Sequence, residues 1–300
     1  MAKRNTGMVK PFEAVKVGAF ALVAALTIGL LANAVGPQRD AEEAVEAEPE
    51  PPPPVTPPTR EVAPSFVHHF GGPHDDTDWY ISDFSYPSDA HPAWLAERVH
   101  FLEDRIKLEV RRERLGDKNI SGGEYQRRGF YHFGRYEVVM IPAPGSGTVS
   151  AMFTHTDAYF DDPHDEIDIE FLGGNPRQLH LNYFANYDGI GSIYVPLDFD
   201  TTKAAHLYAF EWEPNEIRWY VDDKMIHRST WADHPIPRTP GRLMVHAWSG
   251  GPAQYDWHGR PNFKNGTTAD VFCLSYQATG DTTEQCSDTF EPPVSKPKKK

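Results

Sequence analysis

The chain has 300 residues, 12% of them aromatic, and a formal net charge of −14. That excess of acid excludes nucleic acid as a partner, because a phosphate backbone would be repelled, and favours a neutral or weakly charged one. The length suits one large all-β domain with tails, since the 27 prolines are unevenly spread and sandwiches of about 200 to 250 residues are routine.

Lys3, Arg4, Lys10 and Lys16 precede a charge-free run from Val17 to Gly36, about the length that crosses a bilayer as a helix. Residues 1–36 are therefore expected to be a membrane anchor or a signal peptide. Ala32-Asn33-Ala34 has the small-x-small form of a cleavage site, yet the apolar run exceeds the usual signal core. A buried core helix is the bland alternative. Basic residues before the span and acidic ones after it put the downstream chain outside the cytoplasm, either anchored in an inner membrane and facing the periplasm or secreted after cleavage. Residues 37–64 are acidic, then proline-dense, and read as a semi-rigid spacer.

From about Ser65 the texture changes to short strand-like runs separated by Gly, Pro, Asn and Asp. Strands are expected over Ile106–Val110, Tyr136–Ile141, Val149–Thr154, Leu179–Phe184, Leu207–Trp212, Ile217–Val221 and Leu243–Ala247. No segment keeps a 3.6-residue period, which makes an antiparallel sandwich the economical reading. A hairpin is expected to turn at Pro214-Asn215. Residues 65–280 form the expected domain and 281–300 a C-terminal tail. Cys273 and Cys286 either form a disulfide tethering that tail, as an exported chain allows, or remain as two thiols.

Acidic and apolar residues alternate strictly from Glu166 to Glu170. A period of two puts Glu166, Asp168 and Glu170 on one face of a strand and Ile167, Ile169 and Phe171 on the other. Three neighbouring carboxylates repel one another, so folding alone does not account for them. The Cα atoms of Glu166 and Glu170 are separated by about 13 Å along a strand, and their side chains can close to the roughly 5 to 5.5 Å used by retaining glycosidases. A Ca²⁺ site and a solvated acidic face are the alternatives, but one strand face does not wrap an ion as a loop does.

The run His164 to Gly173 resembles the active-site signature of glycoside hydrolase family 16, the lichenases, laminarinases and their relatives. Phe133 to Glu137, Ser146 to Thr154, and Phe210 to Asp222 resemble further family blocks in the same order. The resemblance implies a β-jelly-roll sandwich of two antiparallel sheets with a concave cleft. It makes Glu166 the nucleophile, Asp168 its helper and Glu170 the acid/base. It also implies substrate contacts from Glu124, Gln126, His164, His180, Asn182, Phe184 and Trp248, although Trp248 taken alone reads better as core and His164 reads equally as a turn residue. Gln126, His164 and Ser249 depart from the lichenase pattern and turn the expectation toward bacterial exopolysaccharide depolymerases.

The resemblance further implies a structural Ca²⁺ near Asp270, with no cofactor required for catalysis. The expected protein is a monomeric, retaining endo-β-glycanase acting on β-1,3/1,4 bonds of an exopolysaccharide or mixed-linkage glucan. Its partners are that polysaccharide and, through the N-terminal segment, a membrane. A transglycosylase and a non-catalytic carbohydrate-binding jelly roll are the competing readings.

Overall fold

In the computed structural model, the described residues are 52–54, 60–88 and 90–293. They lie in one unit that begins at Pro49. The expected membrane segment and most of the spacer fall outside them. Among the described residues no helix is long and apolar enough to cross a membrane.

All seven expected strands are present, each extended by one or more residues at an end. They belong to two curled antiparallel sheets packed face to face, the jelly-roll sandwich expected. The outer sheet runs, in spatial order, through Val99–Phe101, Ile106–Leu115, Thr267–Ala278, Gly134–Ile141, His206–Glu213, Glu216–Val221 and Lys224–Thr230. The inner sheet runs through Trp79–Ile81, Lys118–Arg127, Arg242–Trp248, Val149–Thr156, Asp165–Leu172, Gln178–Ala185 and Ile193–Pro196. Pro214-Asn215 is the two-residue turn between Glu213 and Glu216, as expected.

Period-two patterning builds the core between the sheets. Ile167, Ile169 and Phe171 point inward from the carboxylate strand and are buried. They meet Leu179, Leu181 and Tyr183 of the next strand, and Tyr208, Phe210 and Trp219 of the outer sheet. Trp219 Nε1 also donates to the Asp168 carbonyl at 3.2 Å, so the core indole ties the carboxylate strand to the opposite sheet.

No strand was expected over Lys118–Arg127, whose sequence is polar and carries two glycines. The structure gives the reason for them: a Cβ at Gly122 would lie 2.8 Å from the Ala247 carbonyl oxygen, and one at Gly123 would lie 2.5 Å from that of Arg98. Only glycine permits that approach.

Cys273 and Cys286 form a disulfide, the first of the two alternatives above. Residues beyond the last strand fold back on the outer sheet. Ser287 donates to the buried Glu137 from its backbone N–H at 2.8 Å and from its hydroxyl at 3.0 Å. Asp270, the expected calcium residue, faces Lys107 Nζ at 3.1 Å and Arg105 Nε at 3.4 Å on this sheet. Its neighbours are cations where a calcium ion would need oxygens, so the calcium expectation is not supported there.

Candidate active site

The inner sheet is concave, and strand register sorts its outward side chains into rows. Glu166 is opposite His155 on one side and Phe184 on the other. Asp168 is opposite Phe153 and Asn182, and Glu170 is opposite Ala151 and His180. The rows continue through Arg242, Met244 and His246 of the neighbouring strand, and the last two face Gln126 and Glu124. All three catalytic candidates therefore share one open face, and Ala151, Phe153 and Met244 form an apolar patch of its floor.

The three carboxylates have different surroundings. His155 Nδ1 and His164 Nε2 each lie 2.7 Å from Glu166 Oε2, which leaves Oε1 free of them. Burial alone would raise the Glu166 pKa, but hydrogen bonds and charge from the two imidazoles outweigh it and hold the carboxyl well below its ordinary range. His155 is pushed up to about 10: burial opposes its charge, while Asp157 and Glu166 favour it more strongly. Asp168 is 4% exposed. Burial first, and then the charges of Glu166 and Glu170, push its pKa well above the ordinary value and favour its protonated form. Glu170 Oε2 sits 2.5 Å from His180 Nδ1.

The expected substrate residues divide. His164 is not a free turn residue; it bonds Glu166 and stacks on Phe184, with ring centroids 4.7 Å apart. Phe184, expected to cover a sugar, therefore braces His164. His180, expected to contact sugar directly, bonds Glu170, and its buried Nε2 has no partner. Asn182 Oδ1 is likewise buried and unpartnered beside Asp168. These atoms are poised for a ligand's hydroxyls, since buried polar groups are otherwise paired.

Glu124 and Gln126 lie three strands away on the same face, bonded mainly to each other. Ser82 Oγ and Gln126 Nε2 donate to Glu124 Oε1 at 2.6 and 2.8 Å. Burial opposes the Glu124 charge, but His246, Ser82 and Gln126 lower its pKa. Trp248 is on the concave face yet packs with Trp94, Val149 and Leu172, which supports its core reading over a broad sugar platform. Asp270 is on the other sheet, away from this group.

Several residues escaped the sequence reading. His155 and Arg242 carry no motif, and only register brings them into the Glu166 row. Asp165, directly before Glu166, accepts backbone N–H bonds from Asn186 at 2.7 Å and from Arg238 and Thr239 at 2.8 Å. It gathers two loops at the mouth of the cleft. At the Glu170 end, a pocket of about 430 Å³ is lined by Gln178, Tyr194, Asp256, Trp257 and His258. Tyr194 and Trp257 lie 4.8 and 5.6 Å from the His180 ring. A Trp and a Tyr next to turn-forming glycines were the available signal. Among the described residues, the one group with metal-ligand spacing is His155, His164 and Glu166, already joined by hydrogen bonds.

The sequence model of Glycosyl hydrolases family 16 matches residues 87–268. A xylanase/beta-glucanase of Ruminococcus flavefaciens is 36% identical over 210 residues, covering 68% of this chain and 26% of that protein. A beta-glucanase of Acetivibrio thermocellus is 34% identical over 206 residues, covering 69% of this chain and 60% of that one. The chain thus spans about a quarter of the first relative's length and 60% of the second's. The solved Bacillus licheniformis beta-glucanase superposes with a TM-score of 0.67 at 32% identity, over 72% of this chain and 99% of that one.

Proposed function

The chain belongs to family 16 of the glycosyl hydrolases, and we propose that it is a retaining endo-β-glucanase cutting internal β-1,3/1,4 bonds of a glucan-type polysaccharide. The observation that carries the reading is the unequal treatment of three carboxylates on one open strand face. Glu166 is oriented by two imidazoles that hold it toward its ionised form, Asp168 beside it is pushed toward its protonated form, and Glu170 lies one turn of the pleat further on.

In this mechanism Oε1 of Glu166, the oxygen free of the imidazoles, attacks the anomeric carbon. As that bond forms, the glycosidic C–O bond breaks and the departing oxygen takes the proton of Glu170. Water then gives a proton to Glu170 while its oxygen attacks the same carbon, releasing Glu166. Two inversions give net retention. His155 and His164 act through Glu166 as positioning residues, and protonated Asp168 offers a hydrogen to whichever neighbour carries more charge. An open trough binds the middle of a chain, in keeping with internal cleavage.

Glu166→Gln and Glu170→Gln are each expected to lower hydrolysis of lichenan by about a thousandfold or more, measured as new reducing ends. Wild-type turnover in either would overturn the assignment. With an added sugar acceptor, products longer than the substrate would instead identify a transglycosylase. A membrane-tethered or exported location completes the proposal. It is supported by the Cys273–Cys286 disulfide, a bond that persists in oxidising compartments, and by the charge-flanked apolar segment of residues 17–36. Protease protection of the full chain in intact cells would contradict it.

A further inference from the structure

On the concave face Glu124, Glu166 and Glu170 each have side-chain partners, whereas Arg242 has no acidic one among the described residues. Arg242 shares the row of Glu166: it is opposite His155, and His155 is opposite Glu166. Two strand spacings put its backbone about 10 Å from that of Glu166. Several arginines elsewhere are matched by acids, while Arg128 and Arg238 bond only uncharged oxygens. Arg135 meets Glu137, Glu211 and Asp223, and Arg218 meets Glu211 and Glu216.

No carboxylate among the described residues pairs with Arg242. Its Nη1 donates one long hydrogen bond, 3.3 Å to Gln126 Oε1, and its buried Nε has no partner. The guanidinium lies 5.6 and 5.1 Å from the ring centroids of Phe130 and Phe160. The nearby charges add to the imbalance. Arg128 and Arg60 act on it with like sign, and Arg60 is itself engaged by Asp162 at 3.0 Å. Burial disfavours the charged form, the largest influence on this group.

Withdrawing a charge from water without a counter-ion is costly. In a protein of net charge −14 a matching acid was readily available, so its absence at the edge of a ligand cleft points to a ligand that brings the anion. A guanidinium suits a carboxylate best, because its planar fork meets two oxygens at once. The aromatic walls restrict the fork's orientation and exclude water from its flanks.

We propose that Arg242 recognises a carboxylate carried by the polysaccharide, as a uronic acid or a carboxyl-bearing substituent, on a sugar bound near Glu166. The proposal rests on the glycanase reading of the cleft and refines its substrate to an anionic glycan. At the Glu166 end the acids Glu166, Asp157 and Asp162 are each engaged by an imidazole or by Arg60, which leaves Arg242 without one of them.

The test compares lichenan with lichenan whose primary hydroxyls have been partly oxidised to carboxylates. Binding of the full chain to each polymer is measured by affinity electrophoresis, which requires no turnover. Wild type is expected to bind the oxidised polymer about tenfold more tightly, as for a charge-assisted hydrogen bond, with the preference shrinking at about 0.5 M salt. Arg242→Gln should bring the two polymers near parity, and Arg242→Lys should keep part of the difference. Equal binding by wild type overturns the proposal, as does an Arg242→Gln protein that retains the preference. Should that variant not fold, the wild-type preference and its salt dependence decide alone. Reducing ends released from neutral lichenan report on the hydrolase reading separately: a wild type that prefers the oxidised polymer but cuts neither keeps the anion site and loses the enzyme.

Discussion

Glu166 and Glu170 stand on the same face of one strand, two side-chain repeats apart, yet they are held differently. Glu166, with 20% of its side chain exposed, accepts from two imidazoles on a single oxygen. Glu170, with 13% exposed, has His180 alone. Phe184 braces the imidazole at one end, and Tyr194 and Trp257 enclose the imidazole at the other. Repulsion among three carboxylates is therefore relieved by sharing protons unequally rather than by separating the groups. One end is held toward its negative charge and the middle toward its protonated form, while the double displacement draws on an ionised Glu166 and a proton from Glu170.

The largest effect that tests this asymmetry comes from changing the leaving group. On an aryl β-glucoside oligomer whose phenolate needs no proton to depart, Glu170→Gln should still release a rapid first equivalent, whereas Glu166→Gln should release none. The contrast, read as burst phenolate, is expected to be about a thousandfold. Equal losses in both variants would remove the division of roles.

The middle of the strand gives the next effect. Asp168→Asn should lower kcat by about a hundredfold while raising Tm at neutral pH. The sign follows from its raised pKa: the folded state holds a proton that the unfolded chain releases above about 3.8, so folding with Asp168 is increasingly disfavoured as pH rises through that range. A lower Tm for the Asn variant would mean that the carboxyl is not protonated in the fold.

At the Glu166 end, His164→Ala removes one donor, so the acid limb of kcat/KM should move to higher pH, with a loss of about tenfold near pH 5 and less near pH 7. An unmoved limb would make His164 only a packing residue. The smallest effect is on stability. The folded pKa of His155, about 10, lies above its unfolded 6.5; its contribution is fully present below 6.5 and is lost as pH rises toward 10. Glu166 contributes above about 4.5 and loses that contribution as pH falls. His155→Gln should flatten the alkaline decline in Tm, a change of about 3 °C by melting curves.

Much of this site was legible because it is local. Alternation from Glu166 to Glu170 fixed which side chains share a face, and it placed Ile167, Ile169 and Phe171 in the core. Cross-strand neighbours were not legible, since a sequence does not state its register. His155 and Arg242 lie eleven and seventy-six positions from Glu166, and only antiparallel pairing aligns them. The same limit hid what His164 and Phe184 touch: the resemblance made them sugar contacts, and in the fold they stack on each other beside Glu166. Parity gives the face a side chain occupies; what it touches there depends on the loops, here gathered by Asp165. The surroundings of Asp270 were hidden for a related reason: Lys107 is supplied by a strand far away in sequence.

The disulfide on the outer sheet bears on how the molecule is finished. Cys273 is aligned opposite Val139, in the middle of the longest strand among the described residues, and its bond to Cys286 fastens the returning segment to that strand. The bond thus reports on the segment that follows the strand: a chain broken off before residue 286 keeps a bare thiol and leaves Glu137 without the two donors of Ser287. Such products would be marked on the face opposite the cleft, where thiol-reactive reagents or folding catalysts could sort them from the completed protein.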